Sequence, residues 1–185
     1  EHFGFADNVT WVGVRNVDTM LGSLKTKQID ILNAAPSIMT DAEKNGWGKT
    51  IYRGSDADEW NKIVGGNVPV NANICLLSTM QKEPEKIQAY TTACYRAAQF
   101  MKTHTAEQIF DVIEPYVGST SRDANILELQ SVKEVTDFNG IIDPGSYDRG
   151  GKCWYRDITG IKPMPLSDIF DDRFVKAAQA KYPNG

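Results

Sequence analysis

Much of what usually carries chemistry is scarce in this chain. Its 185 residues include only two histidines, His2 and His104, and three cysteines, Cys75, Cys94 and Cys153. Neither set has the close spacing of metal ligands, and no Cys–His nucleophile pair is indicated, so no metal or organic cofactor is expected. No apolar run approaches the roughly 20 residues that cross a bilayer, and no apolar leader-like stretch opens the sequence. Charge of one sign is also missing. The net charge is −4, from 20 basic and 24 acidic residues. The basic residues are scattered singly, which argues against a nucleic-acid surface. Internal repeats and low-complexity tracts are absent. The odd cysteine count leaves at least one thiol unpaired in a monomer and does not decide the redox compartment. Cys75, in an apolar stretch, and Cys94, on the inner face of a helical pattern, are expected to be buried small hydrophobes.

A hydrophobic content of 41% in a chain of this length supports one globular domain or two small lobes. Val9 to Val14 alternates as a strand does. Asn16 or Asp18 caps a helix near residues 17 to 27, in which Met20, Leu21 and Leu24 recur on one face. Ile29, Ile31 and Leu32 then read as a buried strand ending at Asn33. Pro36 opens a helix to about residue 45, with Ile38, Met39 and Ala42 inward and Gly46 as its stop. Ile51-Tyr52 reads as a third short strand, residues 54 to 72 as loop, and Asn73 to Leu77 as a further strand. This strand–helix alternation predicts an α/β fold with a parallel sheet.

From residue 73 onward the pattern turns helical. Pro84 begins a long helix with Ile87, Tyr90, Cys94, Ala97, Ala98 and Met101 on one face. Further helices are expected over residues 106 to 116 and 122 to 134. Residues 138 to 165 read as loop, and a final helix opens at Leu166, with Ser167 or Asp171 as cap. The composition shift divides the chain into residues 1–72, an α/β lobe, and 73–185, a crossover with helices.

Three segments carry a family resemblance: the "Gln-Ile-Asp-Ile" stretch with the small-residue turn at Pro36, "Lys-Glu-Pro-Glu-Lys-Ile-Gln-Ala-Tyr" at 82–90 followed by Ala97-Ala98-Gln-Phe-Met101, and "Leu-Ser-Asp-Ile-Phe-Asp-Asp-Arg-Phe" at 166–174. In this order they resemble the periplasmic solute-binding proteins of nitrate, sulfonate and taurine ABC transporters, a family that includes binders of thiamine-pyrimidine precursors. The resemblance implies the C-terminal half of a type II periplasmic-binding-protein fold, truncated at the N-terminus. It also implies a periplasmic or surface-anchored location, a small polar or anionic solute, and a membrane permease as partner. A non-catalytic binding role follows. The alternatives are an enzyme of the thiamine-pyrimidine-synthase branch and a sensor domain on the same fold.

Where the family often has Trp-Glu-Pro, this chain has Ala34-Ala35-Pro36, so no acidic or aromatic ligand contact carries over there. Ligands of open α/β sheets sit beyond the carboxyl ends of the strands. Asn33, Ser37, Asn71 and Asn73 are therefore the candidate ligand-binding residues, with Arg15 nearby, offering neutral donors and acceptors and one guanidinium. The four tryptophans read as packing, and Asp56-x-Asp58-Glu59, which lacks a twelve-residue calcium loop, as a solvated stretch.

Overall fold

The computed structural model describes residues 8–14, 16–117, 121–155, 160, 162 and 164–183, apart from the side chains of Val17 and Trp154. Among the described residues the chain is helical and has no strand, so the expected α/β fold with a parallel sheet is not present. The segments read as strands, 9–14, 29–33, 51–52 and 73–76, are irregular connections. The physical reason is hydrogen bonding: a strand satisfies its backbone only through a neighbouring strand, and here none is aligned. Several of their apolar side chains accordingly face outward, with Ile74 94% and Trp11 83% exposed, and Ile31 and Ile51 also exposed; Ile29, Leu32 and Tyr52 are half-buried. Cys75 and Cys153 are exposed, so Cys75 is not the buried hydrophobe expected; Cys94 is half-buried.

The helices expected from periodicity form close to where they were placed. They are α1 (Val17–Lys25), α2 (Pro36–Lys44), α5 (Pro84–Thr103), α6 (Ala106–Ile113) and α7 (Arg122–Val135). Three more arise where loop or strand was expected: α3 (Ala57–Val64), α4 (Leu77–Lys82) and α8 (Pro144–Trp154). The last has Gly145, Gly150 and Gly151 inside it, which lowers its intrinsic propensity. Its start is nevertheless well specified, because Pro144 stands at the first position and the Asp143 carboxylate accepts the Ser146 amide at 2.8 Å. The expected C-terminal helix is two: α9 (Leu166–Ile169) and α10 (Arg173–Lys181).

The chain divides into two compact units, residues 1–59 with 106–134, and 60–105 with 135–185. The residue 72/73 boundary lies inside the second. In the first unit, Asn16 Oδ1 accepts the Thr19 amide at 2.9 Å to cap α1. Helix α1 ends with Gln28 N–H on Ser23 O at 2.9 Å and Lys27 N–H on Leu24 O at 3.1 Å, the paired bonds of a Schellman ending. The left-handed position of that motif is Lys27, φ 58°, which normally favours glycine. Helix α2 ends the same way, with Gly46 at φ 68° in the equivalent place. Ile38, Ala42, Ala106, Ile109, Phe110 and Ala124 are the buried apolar residues of this unit. Arg122 on α7 pairs with Asp111 on α6 at 2.6 Å and lies over the Phe110 ring at 5.0 Å.

In the second unit α10 lies along α5. Tyr95, Val175 and Ala178 form the buried cluster, with Ile141 and Tyr182 packed against it. Gln88 on α5 donates to Phe174 O at 2.9 Å, and Gln99 donates to Phe138 O at 2.8 Å, tying the flanking loops to the helix. Gly140 (φ 74°) passes so close to α10 that a Cβ there would stand 3.0 Å from Val175 Cγ2. The two left-handed positions therefore behave oppositely on substitution. Lys27→Gly relieves a backbone strain of about 1–2 kcal/mol at some entropic loss, and is expected to stabilise by up to about 1 kcal/mol. Gly140→Ala introduces both strain and overlap, and is expected to destabilise by about 1–3 kcal/mol. Urea unfolding of the two variants beside the parent measures both; equal midpoints for all three would contradict it.

Candidate functional site

Helix α2 is what places the site. Its Schellman ending turns the chain back at Gly46 and Trp47, whose ring lies under Lys25 Nζ at 5.1 Å from its centre. Gly48 then passes against α1, where a Cβ would meet Leu24 Cδ2 at 3.2 Å. Glu43, in the last turn of α2, reaches across this loop and accepts the Thr50 amide at 2.7 Å, with Arg53 3.8 Å from its other oxygen. A tight turn follows, closed by Asp56 N–H on Arg53 O at 3.1 Å, and Asp56 Oδ1 accepts the amides of Asp58 and Glu59 at 3.0 Å each. The Asp56-x-Asp58-Glu59 stretch thus supplies the start of α3 rather than being merely solvated.

Between these fixed points lies an open cleft of about 230 Å³, lined by Thr50, Ile51, Tyr52, Arg53, Asp56 and Glu59. Behind its wall the side-chain oxygens of Thr50 and Tyr52 are shut off from solvent; Tyr52 OH makes no hydrogen bond, and the Thr50 hydroxyl leans on the Glu43 carboxylate. Burial, reinforced by the negative charges of Glu59 and Asp56, raises the Tyr52 phenol above its ordinary range, so at neutral pH it remains an uncharged donor. The Glu43 carboxyl is lowered, first by the nearby Thr50 hydroxyl and then by the Thr50 amide, with smaller help from Arg53 and Lys49.

The residues expected to bind ligand fall elsewhere. Asn33 is exposed in the connection before α2, and Ser37 is buried in the first turn of α2. Both belong to the first unit, whereas Asn71 and Asn73 belong to the second. Asn71 and Asn73 are exposed, and Asn73 Oδ1 accepts from Tyr90 OH at 3.2 Å. Arg15 lies outside the described residues. None of the four described residues lines the cleft. Thr50, Tyr52 and Arg53 were missed because Ile51-Tyr52 reads as a strand; the available signal was a tyrosine in an apolar stretch, whose hydroxyl needs a partner wherever it is buried.

A larger groove of about 440 Å³ runs along α5 and α10, lined by Glu85, Gln88, Ala89, Thr92, Ala177 and Lys181. Its central amide is already committed, since Gln88 donates to Thr92 Oγ1 at 3.0 Å as well as to Phe174 O. Among the described residues no group of three His, Cys, Asp or Glu is placed to hold a metal ion, and no helix is long and apolar enough to cross a membrane.

No family model, curated protein or solved structure matches the chain.

Glu43 also gives the site a pH signature. Its carboxyl ionises at lower pH in the folded chain than in the unfolded one. The stabilisation it contributes is therefore complete above the ordinary glutamate range and is lost as pH falls through the folded value. Glu43→Gln is expected to flatten that acid limb. Thermal unfolding of parent and variant between pH 7 and pH 3 checks it, and an unchanged difference between the two across that range would contradict it.

Proposed function

We propose that the chain is the solute-binding component of an ABC importer, taking up a small polar solute in the cleft at residues 50–59 and presenting it to a membrane permease from the periplasm or outer cell surface. The observation that carries this reading is an open cleft lined by polar and charged residues, Thr50, Tyr52, Arg53, Asp56 and Glu59, behind which the buried Tyr52 hydroxyl makes no hydrogen bond. A buried polar group left unpaired costs about 1–3 kcal/mol, and a ligand that bonds to it recovers much of that.

The ordered resemblance of three segments to solute-binding proteins supports the transport role. Two of those segments open helices at Pro36 and Pro84, and α10, which follows the third, packs on α5. Binding without catalysis is favoured by the chemistry of the cleft. The Tyr52 hydroxyl has no hydrogen-bonded base to activate it as a nucleophile, and such activation is what hydroxyl catalysis requires.

Tyr52→Phe separates the two consequences of this arrangement. Removing the orphan hydroxyl is expected to raise the stability of the ligand-free protein by about 1 kcal/mol, while weakening solute binding by about 1–3 kcal/mol, roughly 5- to 150-fold. Native mass spectrometry of the protein purified from cells is expected to find a small-molecule adduct, released with its mass unchanged and reduced or absent in Tyr52→Phe. An adduct equally occupied in the variant, a chemically altered product on release, or no adduct at all would overturn the proposal.

A further inference from the structure

The second unit leaves one stretch of backbone without partners. Residues 63–81 carry no charged side chain, in a chain that is 24% charged. Both ends of the inner part are held. Gly66 O accepts from Trp60 Nε1 at 2.9 Å and Asn67 O from Arg149 Nε at 3.1 Å, while Leu76 O accepts the Thr79 and Met80 amides at 3.0 and 3.1 Å to start α4. Among the described residues, nothing bonds to the backbone of residues 68–75 between them. Residues 70–76 are exposed throughout, Val70 by 70% and Leu76 by 72%. Their sequence, Val-Asn-Ala-Asn-Ile-Cys-Leu, alternates apolar residues with small polar ones at the period of a strand. The Tyr90 hydroxyl, bonded to Asn73 Oδ1 at 3.2 Å, holds the polar positions toward α5 and so leaves the apolar ones turned away.

Unpaired N–H and C=O groups beside an exposed apolar row are a template for another strand. The pattern itself identifies that strand. Reversed about Asn73 it matches itself: in an antiparallel pair Val70 stands opposite Leu76, Ala72 opposite Ile74, and Asn73 opposite Asn73 of the second copy. A twofold axis requires such self-complementarity. Any charge in the stretch would set like charges close together across the pair, and none is there. The net charge of −4 opposes contact elsewhere on the surface, but not here. We infer that two copies of this chain associate by antiparallel pairing of residues 70–76, centred on Asn73. The association belongs to the second unit and does not depend on the solute-binding reading of the cleft.

Sedimentation equilibrium of the intact chain over about a hundredfold range of protein concentration is expected to show monomer and dimer in exchange. Ile74→Lys is expected to weaken the dimer about tenfold or more, because the substitution enters the interface twice, with helix content by circular dichroism unchanged. A monomer at every concentration overturns the inference, and so does a dimer equally strong in Ile74→Lys. Asn71→Cys reads the register directly. In the proposed pairing the introduced thiol lies opposite Cys75 of the second copy, whereas within one extended chain the two positions are about 13 Å apart, beyond the reach of a disulfide. Oxidised glutathione, which takes up the two electrons and two protons released by the paired thiols, is expected to convert this variant to a covalent dimer with a 71–75 link in peptide mass spectrometry. A covalent dimer joined only through Cys94 or Cys153, or no covalent dimer, would contradict the register and overturn the pairing.

Discussion

The bond from the Thr50 amide to Glu43 is the fixed point of the site. It joins the last turn of α2 to a segment with no regular structure of its own, and the 2.7 Å separation marks a charge-assisted contact. Residues 50–53 are held as well by the Arg53–Glu43 pair, by the turn at 53–56 and by the start of α3. The Schellman ending at Gly46 and the close passage of Gly48 by Leu24 bring the chain back within reach of Glu43. Helix termination, loop packing and one carboxylate together form the wall of the cleft.

That arrangement has an internal tension. Burying Tyr52 OH without a partner is unfavourable for the empty protein, whereas the Thr50 hydroxyl has the Glu43 carboxylate beside it. Polar groups held in this way are what a binding site gives up in stability to gain affinity. The same logic separates the cleft from the larger groove on α5 and α10, whose central amide bonds within the protein on both sides.

The helices were largely legible in the sequence, and the connections were not. Periodicity and capping located α1, α2, α5, α6 and α7, since Asn16, Pro36, Gly46 and Pro84 act locally and a helix satisfies its own backbone. Strands cannot be read in this way. Ile29 to Leu32 and Asn73 to Leu77 have strand-like composition, yet a ladder depends on residues distant in sequence, and no aligned neighbour is present among the described residues. Helix α8 was hidden by its three glycines, although Asp143, Pro144 and Ser146 mark its start plainly. The site was lost with the strands: asparagines at the ends of sheet strands have no special standing when the sheet is absent, and Tyr52 was counted as strand filling rather than as a hydroxyl in want of a partner.

The most direct measurement is a high-resolution crystal structure of the protein purified from cells without exchange of its small-molecule content. The account predicts density larger than a water molecule in the cleft, with a polar atom within about 3.2 Å of Tyr52 OH, and the Glu43 contacts to Thr50 and Arg53 intact. A single ordered water bonded to Tyr52 OH, or a cleft in which that hydroxyl bonds to a protein group, would contradict it.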